Sequence, residues 1–255
     1  MIPKVIHYCW FGKNEIPSEY IKYIESWKIK CPDFEVKEWN EGNFDVNQNK
    51  FCKEAYDLKK WAFVSDYARL KILYDYGGIY LDTDVEIVKD LSTLINDGIG
   101  YMGFQNIYQV ASGLGMASES GNSCIREMLS LYEVCNIKEN IDKLNRITCP
   151  ILNTVALKRC GLKTGRINSK NIQKLEGLNI YPIEYFNPVN FDSKKIRCTQ
   201  NTYTIHHYSA SWTSVTKSKL RRLKQYFPEW ILNFRTLYIS KRDVKRLEKL
   251  VNEDK

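Results

Sequence analysis

No stretch of this sequence reaches the roughly 20 consecutive apolar residues that a membrane-spanning helix needs. The opening residues, Met1-Ile2-Pro3-Lys4-Val5-Ile6-His7, lack the charged segment and long apolar run that mark a secretion signal. There is no Cys-x-x-Cys pair. Cys9, Cys31, Cys52, Cys124, Cys135, Cys149, Cys160 and Cys198 are scattered, most among apolar neighbours, as buried thiols are. The expectation is a reducing, cytoplasmic setting in which the cysteines are structural. Internal repeats and low-complexity linkers are absent too, so the 255 residues read as one large domain, or one domain with a small appendage.

What is present suffices for a core: a hydrophobic fraction of 44% excludes a disordered chain. Lys and Arg outnumber Asp and Glu by 38 to 30, and the resulting charge of +8 suits an anionic partner such as a nucleotide, a nucleic acid or an acidic membrane. No recognised nucleic-acid motif occurs, and the basic residues gather in the tail rather than among base-stacking aromatics. No nucleic-acid partner is therefore expected.

Val5 to Trp10 is a short apolar run stopped by Phe11-Gly12, which predicts a buried first strand ending in a loop. Ile16-Pro17-Ser18 opens a helix to about Cys31, with Tyr20, Ile21, Ile24 and Trp27 on one stripe. Phe34 to Trp39 alternates with period two. Strand, helix, strand in this order predicts a βαβ unit in a parallel sheet. Lys50 to Tyr76 reads as two helices, Gly77-Gly78 breaks the second, and Ile79-Tyr80-Leu81 is a short buried strand. Val85 to Val88 and Ile99 to Phe104 read as further strands. Ser118 to Gly177 is predicted mostly helical, with a break at Thr148-Cys149-Pro150. Tyr181 to Pro188 reads as a loop, Thr202 to Tyr208 as a late strand, and the chain from Thr216 onward as a basic helix.

The Ile79–Leu81 strand runs directly into Asp82-Thr83-Asp84. Two carboxylates spaced i, i+2 face opposite ways on a continuing strand, but where a chain turns at a strand's carboxyl end both can reach one cation. Open α/β sheets bind ligands at that edge. Hard oxygen donors suit Mg²⁺ or Mn²⁺, which bridge protein to diphosphate and neutralise charge on a departing nucleotide. Upstream, Asp66 and Arg69 share a helix face. They are either a surface ion pair of little energy or, among Val64, Leu70 and Leu73, a partly buried pair that could hold a phosphate or a sugar hydroxyl. Downstream, His206-His207 offers an imidazole to complete a two-carboxylate site, and strand alternation allows only one of the two to do so.

Four segments then occur in order: Ile2 to Gly12, Ser65-Asp66-Tyr67-Ala68-Arg69, Gly77 to Asp84, and His206-His207-Tyr208-Ser209-Ala210-Ser211-Trp212. Together they resemble the family-32 glycosyltransferases, especially bacterial capsular polysaccharide enzymes. More distantly they are similar to the glycosyltransferase domain of large clostridial toxins and to the yeast initiating mannosyltransferases. The resemblance covers roughly residues 1 to 215. It implies an α/β GT-A fold, a Rossmann-like mixed sheet flanked by helices, as a catalytic domain over residues 1–215. Residues 216–255 would be a basic, amphipathic helical extension.

Carried over by position, the resemblance implies that Trp10 stacks on the donor base, with Phe11 beside it. Asp66 and Arg69 would contact the donor sugar, Tyr80 would line the donor pocket, and Ser211 and Trp212 would close over the diphosphate. Asp82 and Asp84 would hold Mn²⁺ or Mg²⁺ with His206, His207 being the alternate. From position alone Trp10 reads equally as a core side chain. Where relatives are expected to have Thr-Gly-Pro, this chain has Thr148-Cys149-Pro150.

The expected activity is retaining transfer of a hexose from UDP-hexose or UDP-N-acetylhexosamine to a growing capsule, O-antigen or exopolysaccharide glycan. Paired carboxylates serve equally in a metal-dependent phosphodiesterase or nucleotidyltransferase, which is the alternative. The tail carries Lys217, Lys219, Arg221, Arg222 and Lys224 before Tyr226-Phe227-Pro228-Glu229-Trp230-Ile231-Leu232. It has two readings: a helix lying on the inner face of the cell membrane beside a lipid-linked acceptor, or a helix packing its apolar stripe on the domain.

Overall fold

The computed structural model describes residues 1–135, 137, 148–189, 195–208 and 229–253. Its frame is an eight-stranded mixed sheet with helices on both faces. Strand β1 (Val5–Cys9) is followed by α1 (Ser18–Lys30) and β2 (Glu35–Trp39), and β1 pairs with β2 in parallel. Next come α2 (Lys50–Asp57), α3 (Trp61–Tyr76) and β3 (Gly78–Tyr80), which lies parallel to β1 on its other side. Then follow β4 (Val85–Ile87), α4 (Ser92–Ile95), β5 (Gly100–Asn106), β6 (Gln109–Ala111), β7 (Met116–Ser118), α5 (Ser123–Val134) and α6 (Cys149–Arg159). The chain continues through β8 (Gln173–Leu175), β9 (Leu178–Tyr181), α7 (Ile183–Phe186), β10 (Thr204–His206) and α8 (Glu229–Glu253).

The sheet runs β2-β1-β3-β7-β5-β9-β8, with β6 paired to β5, while β10 and β4 form a separate antiparallel ribbon. Because β1 and β3 are parallel neighbours, Trp10 and Asp82 leave the sheet at the same carboxyl edge. Asp82-Thr83 then turns the chain into β4, with the Val85 amide on the Asp82 carbonyl at 3.0 Å. The main core, built on Phe51, Leu70, Leu73, Phe104, Tyr132 and Leu152, lies under α2, α3, α5 and α6. A second core around Trp27, Ile79, Tyr101 and Phe186 lies on the α1 side.

The stretch from Ser118 to Gly177 departs from its helical reading. It ends in the strand β8, and β9 follows at once across a turn at Gly177, whose φ is +65°. Strands of three residues, as β6, β7 and β8 are, carry too few positions for alternation to show. The predicted loop at 181–188 contains the single turn α7, and the late strand shortens to β10. In the tail, α8 lays Val244 and Leu247 into the main core, and Lys158 of α6 pairs with Glu248 at 3.0 Å. For these residues the apolar stripe packs on the domain, while Phe234 and Tyr238 stay exposed. Residues 216–228 lie outside the described residues, as do the side chains of Trp230, Ile231 and Leu232. Among the described residues no helix is long and apolar enough to cross a membrane.

One buried contact fixes the β1–β2–β3 junction. The His7 ring lies between Trp39 Nε1, 3.0 Å from Nδ1, and the Gly77 carbonyl, 3.0 Å from Nε2. An indole only donates and a carbonyl only accepts, so the ring is neutral with its proton on Nε2. Gly78, at φ +100°, crosses directly over it; a Cβ there would sit 2.8 Å from His7 Nε2 and from the Val5 carbonyl. The Gly77-Gly78 pair thus does more than end α3.

Burial lowers the His7 pKa to about 4, although the bond to Gly77 favours the proton. Below about pH 6.5 the unfolded chain takes up a proton that folded His7 refuses, so stability falls as pH drops toward 4, by about 3 kcal/mol from this group. Urea titrations at pH 7 and pH 4.5 should show a wild-type loss about 2 kcal/mol larger than that of His7→Gln. Parallel losses would contradict this assignment.

Candidate active site

Two chain segments meet at the carboxyl edge of β1 and β3, and Arg69 joins them. It projects from the middle of α3, where its side chain is only 5% exposed. Nη2 lies 3.1 Å from Asp66 Oδ1 and 2.9 Å from Asp82 Oδ1, so one nitrogen bridges a helix carboxylate and a strand-end carboxylate. Nε donates to the Ser65 carbonyl at 3.2 Å, and the guanidinium lies 5.0 Å from the centroid of the Tyr80 ring. The Tyr80 hydroxyl donates to Asp82 Oδ1 at 3.0 Å. Of the two sequence readings, Asp66–Arg69 is the buried pair.

Asp82 Oδ1 is held by Arg69 and Tyr80, which leaves Oδ2 to face His206 Nε2 at 3.7 Å. The same imidazole nitrogen lies 3.3 Å from Asp84 Oδ1. One ligand atom each from Asp82, Asp84 and His206 lies within 4.8 Å of the others, close enough for all three to reach a single cation. The two carboxylates suit Mg²⁺ or Mn²⁺, and the imidazole tips the set toward Mn²⁺, since Mg²⁺ favours oxygen donors. His206 Nδ1 accepts the Tyr208 amide at 3.2 Å, so without an ion its proton sits on Nε2. Tyr208, at φ +51°, sits where the backbone bends sharply after β10.

Charge balance follows from burial and pairing. Burial raises the Asp66 pKa to about 6 against the pull of Arg69. Burial also works to raise Asp82, but Arg69 and His206 outweigh it and hold this carboxyl below its usual value. For His206 burial opposes the proton, yet Asp84 and Asp82 together raise its pKa.

His207 points elsewhere: Nε2 is 2.9 Å from Glu86, and the ring stacks on Tyr23 of α1 at 4.4 Å. Trp10 is half-buried at the end of β1, edge-on to Tyr20, with Nε1 donating to the Asn14 carbonyl at 2.7 Å. Phe11 packs into the main core against Phe44, so only its backbone is left to meet a ligand. Tyr80 is buried, and it reaches the site through its hydroxyl and beneath Arg69. Ser211 and Trp212 lie outside the described residues.

A third contributor, barely signalled in the sequence, is the Ser112–Leu114 3₁₀ turn, with the start of α6 behind it. A Cβ on Gly113 would collide with Asp82 Oδ2 and come within 3.0 Å of Arg69 Nη1. Ser112 Oγ and Cys149 Sγ lie 3.1 Å apart, at 3.5 Å and 3.6 Å from Arg69 Nη1, and Asn153 Nδ2 donates to both. The Cys149 amide, at the first turn of α6, hydrogen-bonds Asp66. Burial raises the Cys149 pKa to about 11, so it stays a thiol. The signal available in the sequence was Gly113 and Gly115 interrupting an apolar run.

Residues 17–100 match the family model described as a glycosyltransferase sugar-binding region containing a DXD motif, and the matched segment includes Asp66, Arg69, Asp82 and Asp84. An uncharacterized glycosyltransferase of Acanthamoeba polyphaga mimivirus is 36% identical over 107 residues, 40% of this chain and 42% of that protein. Inositol phosphoceramide mannosyltransferase 3 of Schizosaccharomyces pombe is 34% identical over 99 residues, 37% of this chain and 28% of that protein. The matches thus span less than half the length of these curated relatives. Among solved structures, the PaToxG glycosyltransferase superposes with a TM-score of 0.50 at 22% identity, covering 62% of this chain and 69% of its own. The fold is the mixed α/β GT-A arrangement.

Removing the guanidinium while keeping its bulk should leave Asp66 and Asp82 facing each other, half-buried and uncompensated. Arg69→Met is expected to destabilise the chain by about 3 kcal/mol in chemical denaturation at pH 7. A loss under about 1 kcal/mol would mean that the bridge is not structural.

Proposed function

We propose that this chain, which carries a DXD-containing glycosyltransferase sugar-binding region, transfers a hexose from a nucleotide sugar to a growing glycan. The observation that carries the reading is the Asp82–Asp84–His206 cluster set against the Arg69 bridge at the sheet's carboxyl edge. In this reading Asp82, Asp84 and His206 hold Mn²⁺ or Mg²⁺. The ion, when bound, supplies Lewis-acid neutralisation of the charge that develops on the leaving diphosphate.

The protein's own part is positioning. Arg69 and Tyr80 lock one oxygen of Asp82, so its other oxygen keeps a fixed direction toward the ligand cluster. Asp66, clamped by Arg69 and the Cys149 amide, presents its remaining acceptor capacity to donor sugar hydroxyls. Trp10 lies where the first strand ends and offers a half-exposed ring to the base. Ser211 and Trp212 belong to this reading as the segment that covers the diphosphate. A UDP-hexose or UDP-N-acetylhexosamine is the donor we infer, with a capsule, O-antigen or exopolysaccharide chain as acceptor, lipid-linked if the tail meets a membrane.

Asp66 is engaged by Arg69, so we do not read it as a nucleophile for double displacement. We infer retention by front-face attack, in which the acceptor hydroxyl enters on the side of the departing diphosphate. Catalysis then rests on orientation and on electrostatic stabilisation of the leaving group.

UDP release measured over a panel of UDP-sugars with Mn²⁺ should pick out one donor. It should stop in EDTA and fall at least about 100-fold in Asp84→Ala. Metal-independent turnover that survives the substitution would overturn the proposal. Cleavage of nucleotide without sugar transfer to any glycan would favour the phosphodiesterase alternative.

A further inference from the structure

Well away from the Asp82 cluster, at the other end of α6, lies a cavity of about 280 Å³ whose charged lining is all basic. Its walls are Tyr108 in the β5–β6 turn, Lys158 of α6, Thr164, and Lys241, Val244 and Lys245 of α8. Among the described residues no carboxylate lines it. The floor is tied down: the Gly165 amide bonds the Ile107 carbonyl at 2.6 Å, and Val244 is buried against α6.

The three ammonium groups differ in their partners. Lys158 is paired with Glu248, at 3.0 Å and 3.2 Å. Lys241 lies over the Tyr108 ring at 5.3 Å. Lys245 makes no ion pair with a carboxylate among the described residues. The one other acidic group of this stretch, Asp243, is turned to Arg242 at 2.8 Å. Among the described residues two positive charges therefore have no carboxylate partner around a concave space that Thr164 also lines.

We propose that this cavity binds a phosphate or diphosphate group. Lysine ammoniums are compact point charges suited to phosphate oxygens, and a basic concave wall concentrates such anions. The volume suits a small anionic head rather than a drug-sized ligand. The site is also coupled in space to the first one. Cys149 opens α6 beside Arg69, and Lys158 follows nine residues later, roughly 14 Å along the helix axis. The β6 segment runs the same way, from Tyr108 at the cavity to Ser112 beside Arg69. Anion binding here goes beyond the transfer reading and does not depend on it.

The test is titration calorimetry with inorganic pyrophosphate in EDTA, so that no cation recruits the ligand to the carboxylates. The proteins are wild type, the double variant Lys241→Gln/Lys245→Gln, and Asp84→Asn. Wild type and Asp84→Asn are expected to bind alike, and the double variant at least tenfold more weakly with an unchanged unfolding midpoint. Flotation with phosphatidylglycerol and with neutral phosphatidylcholine vesicles identifies the source of the phosphate. Lysine-dependent binding to the anionic vesicles alone assigns it to a lipid headgroup, and no vesicle binding assigns it to a soluble ligand. Absence of pyrophosphate binding by wild type, equal binding by the double variant, or loss of binding in Asp84→Asn would each overturn the proposal.

Discussion

A guanidinium buried at 5% exposure must keep its charge and find carboxylates, and Arg69 meets that requirement with two at once. The consequences spread outward. Asp66 and Asp82 come from different elements, so the bridge fixes α3 against the end of β3. Tyr80 lies beneath the guanidinium and hydrogen-bonds the same oxygen of Asp82. The β5–β9 half of the molecule must approach closely enough for Ser112 and Cys149 to reach Nη1, which leaves no room for a side chain at Gly113. A buried ion pair of this kind adds little net stability over an apolar core, but breaking it leaves uncompensated charge. Its value is positional: one oxygen of Asp82 is taken, and the other can only face His206 and Asp84.

The second constraint is the common carboxyl edge of the parallel strands β1 and β3. β1 and β3 end together, and the His7–Trp39–Gly77 contact keeps them in register beneath the site. Gly78 permits that contact because no Cβ intervenes between β3 and the imidazole. At the same edge β10 pairs with β4, and this places His206 back over Asp82 and Asp84 from more than 100 residues downstream. Both ends of α6 then carry charge-bearing clusters, one acidic and one basic.

Much of this was legible in the sequence because the chemistry is local. The βαβ start, the Gly-Gly break and the carboxylates at a strand end all follow from patterns within about ten residues. Asp66–Arg69 could be seen as a pair, but whether it was surface or buried depended on Asp82, 13 residues beyond Arg69. The opposite facing of His206 and His207 followed from period two, while His207's partners, Glu86 and Tyr23, came from the β4 pairing and from α1. Ser112 and Asn153 were not legible, and Gly113 showed only as a break in an apolar run. They sit in three-residue elements or on a helix interior, and only the tertiary approach gives them polar partners. Phe11 lies in the main core beside the half-buried Trp10, since one residue of register turns a ring to the other face. Cys149 was visible as an oddity, but its contact with Arg69 was not.

The most direct test of the account is Mn²⁺ binding followed by electron paramagnetic resonance, with and without UDP, on wild type, Asp84→Ala and His206→Ala. The account predicts one UDP-enhanced site in wild type, and affinity at least tenfold weaker in each variant. Equal Mn²⁺ affinity in all three proteins would show that Asp82, Asp84 and His206 are close together for another reason, and the central claim would fall.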